Sequence, residues 1–163
     1  MIELQKLQEE HWAEVSQIFK DGIATKDATF EMNVPNWTVW NEEHFQHSRF
    51  VAVQNGVVVG WVAISPVSKR DVYKGVAEIS VYVSLQAQRK GVANTLIEKV
   101  IQVSEENNIW TLYASIFPEN EVSIYLHKKY GFRFIGKRER IAQQEGVWRD
   151  TFLFERRSEK VGV

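Results

Sequence analysis

Apolar and polar residues alternate in Ile2-Glu3-Leu4-Gln5-Lys6-Leu7, a period of two that predicts a first strand. The period then lengthens. Trp12, Val15, Ile18 and Phe19 fall on one face at helical spacing, and Gly22 is placed to cap that helix. A second, shorter helix is expected over Trp37 to Phe45. Arg49 to Gln54 and Val57 to Val62 flank Asn55-Gly56, the dipeptide that most strongly favours a two-residue hairpin. Ser65 to Gly75 is polar, contains Pro66 and reads as a loop. In Val76 to Val83, Ala77, Ile79, Val81 and Val83 point to one face, and Glu78, Ser80 and Tyr82 to the other.

A helix from Gly91 to Asn107 follows, with a stripe of Val92, Leu96, Val100 and Val103 widened by Ile97 and Ile101. Trp110 to Ile116 predicts a strand. Asn120 to Tyr130 predicts a helix whose buried side is Val122, Ile124, Tyr125, Leu126 and Tyr130, with Gly131 just past its end. Phe132 to Ile141 and Val147 to Phe154 complete the pattern as strands joined around Gly146. The order is strand, two helices, three strands, helix, strand, helix and two strands. That order implies an α/β fold, a mixed sheet with helices packed on it.

Composition narrows the function. A length of 163 residues suits one domain, spanning 1–163, with only the polar tail 157–163 expected to fray. No cysteine is present, so disulfides, thiolate metal sites and thiol nucleophiles are excluded. A net charge of −1 provides no global attraction to nucleic acid. The apolar runs are too short to span a membrane, and the first residues do not resemble a signal peptide. A cytoplasmic location, with no nucleic-acid, membrane or metal partner, is the expectation.

Gln88-Arg89-Lys90-Gly91-Val92-Ala93 lies between a strand and a helix. The first amides of a helix lack intrahelical partners, and the helix dipole places partial positive charge there. Glycine lets the backbone approach a phosphate, and the two cations add formal charge. This segment resembles the [Gln/Arg]-x-x-Gly-x-[Gly/Ala] pyrophosphate loop of the GCN5-related N-acetyltransferase (GNAT) superfamily. Asn120 to Phe132, ending in Gly-Phe, resembles the second acetyl-CoA segment of that superfamily. A narrower resemblance covers nearly the whole chain. Thr29-Phe30-Glu31, Gly60 to Pro66, Arg70 and Tyr73, Glu78 to Val83, Leu126-His127-Lys128 and Trp148-Arg149-Asp150 resemble the phosphinothricin / methionine sulfoximine N-acetyltransferase family.

The resemblance implies a single-domain GNAT fold, with a mixed, mostly antiparallel sheet of about seven strands and about four flanking helices. It also implies acetyl-CoA as co-substrate, a small amino acid or analogue as acceptor, and a homodimer. Acetyl transfer to an amine needs a base, and an electrostatic donor for the thioester oxygen. The resemblance points to Glu78 as base. It places His127 where many members of the superfamily carry a tyrosine acid, so a proton-donating or cofactor-contacting histidine is expected there instead. The Val81, Tyr82 and Val83 backbone should hold the pantetheine arm, and Gln88, Arg89, Lys90, Gly91, Val92 and Ala93 the phosphates. Asn120, Ser123 and Lys128 are expected near the cofactor, although capping alone would explain Asn120. Phe30, Glu31, Arg70 and Tyr73 are expected on the acceptor side, Arg70 as a bidentate carboxylate ligand. A protein N-terminus, polyamine or aminoglycoside acceptor, or a non-catalytic acetyl-CoA sensor, remains open at this level.

Overall fold

The computed structural model describes residues 1–163. One interior strand carries the longest apolar run of the chain. Strand β3 (Val57–Pro66) is buried on both faces: Val62 and Ile64 enter one core, Trp61 and Ala63 the other. Around it the order is β1 (Glu3–Lys6), α1 (Trp12–Ala24), α2 (Trp37–Glu43), β2 (Phe50–Gln54), β3, β4 (Val76–Val83), α3 (Val92–Glu106), β5 (Thr111–Ile116), α4 (Glu121–Lys129), β6 (Arg133–Gln144) and β7 (Val147–Arg157). The sheet has seven strands in the order β1-β2-β3-β4-β5-β7-β6. Every pairing is antiparallel except β4 with β5. The α/β class, the mixed sheet and the four helices therefore agree with expectation. No helix is long and apolar enough to cross a membrane.

Helix α3 packs Val92, Leu96, Ile97 and Val100 against Ala52, Val62, Ile64, Ala77 and Ile79 on one face of the sheet. On the opposite face, Val15, Ile18 and Phe19 of α1 and Trp40 of α2 cover Val51, Trp61 and Ala63. Burying such side chains contributes roughly 1.5–3 kcal/mol each, which is why both stripes were visible as patterns.

Several local expectations are corrected. Gly22 does not end α1, which continues to Ala24. A Cβ at Gly22 would lie 2.7 Å from two carbons of the Tyr82 ring, so this glycine permits close approach of α1 to the end of β4. Helix α2 stops at Glu43; its start is capped by Asn36, whose side chain accepts from the Val39 amide at 2.9 Å. Helix α4 turns Val122 and Tyr125 to solvent and buries His127 instead, with Ile124, Leu126 and Tyr130 only half-buried. Part of the Ser65–Gly75 stretch is ordered: β3 reaches Pro66, and Asp71–Tyr73 forms a 3-10 turn. The tail expected to fray is tied down. Ser158 is buried and donates to Glu105, while the Arg157 guanidinium donates to the Val161 and Gly162 carbonyls.

Candidate active site

Strands β4 and β5 share only three parallel pairs, Val76↔Thr111, Ala77↔Leu112 and Glu78↔Tyr113. Beyond Glu78 they diverge. β4 stays paired with β3 as far as Val83↔Gly60, and β5 stays paired with β7 as far as Ile116↔Phe152. The divergence opens a cleft of ≈ 280 Å³ whose floor is the facing segments Ile79 to Tyr82 and Ala114 to Ile116. Backbone amides and carbonyls that would have closed the ladder instead face this gap, where an extended ligand with amide groups can pair with them.

Glu78 stands at the fork. It is half-buried, and Tyr113 lies beside it on the same face of the ladder. Burial pushes its carboxyl above the usual value, while the neighbouring Tyr113 hydroxyl and the positive charge of Arg138 pull partly the other way. Tyr113 is pushed to about 12 by burial and by the Glu78 charge, so its phenol keeps its proton and remains a donor. Tyr82 is likewise pushed to about 12, chiefly by burial, with the Thr29 side chain acting on its hydroxyl in the opposite sense. Its ring stacks on Trp61 at 4.9 Å and 18°.

The segment after α1 forms one wall. Ala28, Thr29, Phe30 and Glu31 line the cleft, and Phe30 meets Phe117 edge-on at 4.8 Å. This segment is held from two sides. Asn120 donates to the Asp27 carbonyl at 3.1 Å, and Gln144 donates to the Thr29 carbonyl at 3.2 Å. Arg149 lies over the Phe117 ring at 3.7 Å and donates to the Lys26 carbonyl, to Asp27 at 2.9 Å and to Glu119 at 3.3 Å. The start of α4 forms the opposite wall with Asn120, Ser123 and His127. Asn120 caps that helix by accepting from the Ser123 amide at 3.2 Å.

His127 Nδ1 is 2.7 Å from the Ser123 carbonyl oxygen. A carbonyl only accepts, so Nδ1 carries the proton and Nε2 is left as an acceptor. Burial holds this imidazole below its usual value, against the opposing hydrogen bond to Ser123. At neutral pH the ring is therefore uncharged, suited to accepting a proton or orienting a water rather than serving as a preloaded cationic acid.

At the far end of β4 the chain enters α3 through Gln88, Arg89 and Lys90, all exposed. Gly91 adopts φ +81° at the N-cap, a conformation glycine takes without strain. Val92 is buried and Ala93 is half-buried. The resulting helix start presents amides and two cations together, the arrangement that suits phosphate oxygens.

The cleft thus gathers Phe30, Glu31, Glu78, Val81, Tyr82, Asn120, Ser123 and His127 from the expected set. Val83 and Gln88 to Ala93 continue from its β4 side without lining it, and Lys128 is exposed on α4. Arg70 and Tyr73 are not brought in: both are exposed, with the guanidinium 5.5 Å from the tyrosine ring centroid. Sequence reasoning missed Tyr113, Ser115, Phe117 and Thr151. The signal for two of them was present: Thr111, Tyr113 and Ser115 form the polar face of an alternating strand, as Glu78, Ser80 and Tyr82 do of theirs.

Comparison with known proteins agrees with this geometry. The chain is 31% identical over 93 residues, 57% of each chain, to a Bacillus subtilis (strain 168) protein named for phosphinothricin acetyltransferase. It therefore spans little more than half the length of that relative. It is 28% identical over 148 residues to the phosphinothricin N-acetyltransferase of Streptomyces viridochromogenes, covering 88% of this chain and 81% of the relative. Among solved structures, a GNAT superfamily phosphinothricin acetyltransferase from Sinorhizobium meliloti in complex with AcCoA superposes with a TM-score of 0.88. That match is 21% identical and covers 99% of this chain and 90% of the other, a likeness that shows the fold. The family model described as Acetyltransferase (GNAT) family matches residues 5–132, the stretch from β1 through the forked strands to the end of α4. The chain belongs to the acetyltransferase (GNAT) family.

Proposed function

We propose that the protein transfers the acetyl group of acetyl-CoA to the α-amino group of a small amino acid or analogue, of the phosphinothricin or methionine sulfoximine type, by direct attack in a ternary complex. The observation that carries this reading is the half-buried Glu78 carboxylate at the fork of the split sheet, its basicity raised by burial. A free amino acid is mostly an ammonium ion near neutral pH. Glu78 accepts its proton, directly or through a water oriented by His127. The nitrogen lone pair then forms a bond to the thioester carbon, and the C–S bond breaks. The nitrogen gives up its second proton, and the thiolate, leaving with the C–S electron pair, takes up a proton through solvent. With no cysteine in the chain, no thiol-linked acyl-enzyme intervenes.

In this reading the backbone of Val81, Tyr82 and Val83 pairs with the amide-bearing arm of acetyl-CoA. Gln88, Arg89, Lys90, Gly91, Val92 and Ala93 receive the phosphates. Asn120, Ser123 and Lys128 flank the cofactor, and Phe30 and Glu31 wall the acceptor end. A role for Arg70 and Tyr73 in acceptor binding rests on the motif resemblance alone. We also propose a cytoplasmic homodimer. Phe134 and Ile135 at the open end of the β6–β7 hairpin, and Val147 and Trp148 at its turn, are exposed apolar residues at the sheet edge, and covering them is favourable. Light scattering of the purified protein tests the dimer.

Release of CoA thiol from acetyl-CoA tests the reaction, because a protein without cysteine does not react with the thiol reagent. Amino acids, methionine sulfoximine, phosphinothricin and polyamines form the panel. Turnover with the amino acids and analogues is expected, and Glu78→Gln should lower kcat by roughly 10²–10⁴-fold. Turnover with polyamines alone would replace the acceptor class. Acetyl-CoA binding without turnover for any amine would replace the enzyme with a sensor.

A further inference from the structure

The cleft contains a polar group that the transfer chemistry does not use. Thr151 of β7 lines it, is only 4% exposed, and its Oγ1 has no hydrogen-bond partner. The other buried side-chain atoms in that condition are the Trp40 and Trp61 indoles and the Arg49 guanidinium, which belong to the aromatic layer beneath α1 and α2. An orphaned hydroxyl is unfavourable to folding, and valine would fill the same space without that cost. A threonine here is explained if something in the cleft accepts its proton.

Directly across the β6–β7 ladder from Thr151 stands Arg138. Arg133, Lys137 and Arg149 on this hairpin are engaged, with Glu155, Asp150 and Asp27 respectively, and Arg140 falls in the irregular stretch where the ladder pairing is interrupted. The Arg138 guanidinium is exposed and takes part in no such pair, yet its charge acts on both Glu78 and Tyr113 inside the cleft. The cleft lining itself contains Glu31 and Glu78 and no lysine or arginine. An amino acid bound with its amine at Glu78 would therefore find no cation for its carboxylate among the lining residues. Arg70, the expected ligand, lies elsewhere.

We propose that the Thr151 hydroxyl and the adjacent Arg138 guanidinium form the subsite for the acceptor's carboxylate, which makes them determinants of preference for amino acids over simple amines. The inference rests on the N-acetyltransferase reading above and names how that site recognises its acceptor. Thr151 donates one hydrogen bond to the carboxylate, and Arg138 supplies the charge at the cleft mouth.

The test compares each amino acid with its α-carboxamide, which keeps the amine and loses the negative charge. Wild type should favour the acid by kcat/KM. Thr151→Val should reduce the acid-to-amide ratio about tenfold, the loss of one hydrogen bond to a charged group, mainly through KM for the acceptor. Its melting temperature should be unchanged or higher, because the orphaned hydroxyl is gone. Arg138→Gln should reduce the same ratio, and Arg138→Lys should restore part of it. KM for acetyl-CoA should stay constant throughout. An unchanged ratio in Thr151→Val, as expected if a water alone satisfies the hydroxyl, would overturn the proposal. So would a collapse of the ratio in Arg70→Ala with none in Arg138→Gln. Wild-type turnover that ignores the carboxylate would sink this subsite and leave acetyl transfer standing. Absence of acetyl transfer to any amine would remove the reading beneath it as well.

Discussion

Tyr113→Phe isolates one of the two interactions that favour the charged form of Glu78. Burial raises the Glu78 carboxyl, and the Tyr113 hydroxyl and the Arg138 charge oppose that rise. Tyr113 itself, pushed to about 12, is a proton donor at every pH at which the enzyme would be assayed. Removing its hydroxyl leaves the ring in place and withdraws a donor that favours the carboxylate over the acid. The sign follows: the charged form loses support, the Glu78 carboxyl rises further, and the base is protonated at a higher pH than before. Hydrogen bonds to charged groups contribute about 1.5–3 kcal/mol. The site is half-open to solvent and Arg138 remains, so the lower end applies, and about 1.4 kcal/mol is tenfold in the ionised fraction. On the acid limb of the kcat/KM profile, Tyr113→Phe should thus be about tenfold slower than wild type at the same pH, while the two meet on the plateau. A full pH–rate profile for both proteins, with the acceptor's own ammonium titration divided out, is the measurement. An acid limb that does not move, or moves to lower pH, would refute the assignment of Glu78 as base with Tyr113 as its donor.

Glu78→Gln should raise stability while lowering turnover. The folded-state carboxyl is raised, so its stabilising contribution is complete below the ordinary carboxylate value and is lost as pH rises through the folded one. Thermal melts should show the variant above wild type at pH 8, with the gap closing toward pH 4; a wild type more stable at pH 8 contradicts the burial argument. Ser158→Ala strands the buried Glu105 carboxylate without its hydroxyl donor, at a cost of about 1–3 kcal/mol. For a chain of this size, each kcal/mol is about 2–4 °C in Tm, and calorimetry reads it directly. Arg149→Ala removes the contacts that hold Lys26 and Asp27 against Phe117. Limited proteolysis should then cut at Lys26 sooner, and acceptor KM should rise more than acetyl-CoA KM, because the wall released is the one carrying Phe30 and Glu31.

The strand and helix order was legible because each element buries one face of a regular period. β4 is the clearest case: Ala77 and Ile79 went inside, and Glu78 and Ser80 stayed half-exposed. Helix α4 misled because its nine residues hold too few turns for the apolar stripe to be unique. Val122 and Tyr125 fit one stripe as well as Ile124 and His127 fit another, and only tertiary contact decides between them. Gly22 carried the same letter a helix terminus would carry, and the Tyr82 ring that requires it is sixty positions away in the chain. Thr151 could not be seen as a cleft residue at all, nor Arg138 as its neighbour across the ladder. That requires knowing that β7 inserts between β5 and β6, a topological fact that alternation within a strand does not contain.

The strongest support for one ligand site comes from local costs that coincide. The β4–β5 ladder ends after three pairs and forgoes further hydrogen bonds. The Glu78 carboxylate is held where burial disfavours its charge. The Thr151 hydroxyl is buried without a partner. Each alone is a modest penalty of about 1–3 kcal/mol, and a chain selected only for stability would be expected to remove any of them by a single substitution. All three border the same cleft. A ligand that contributes strand-like amides, a protonated amine and a carboxylate would satisfy the open ladder, the glutamate and the threonine respectively. Acetyl-CoA together with an amino acid has those groups, whereas a polyamine acceptor would leave the threonine unanswered. The pattern of unsatisfied groups therefore favours an amino acid acceptor over a polycation, despite the two acidic side chains in the wall.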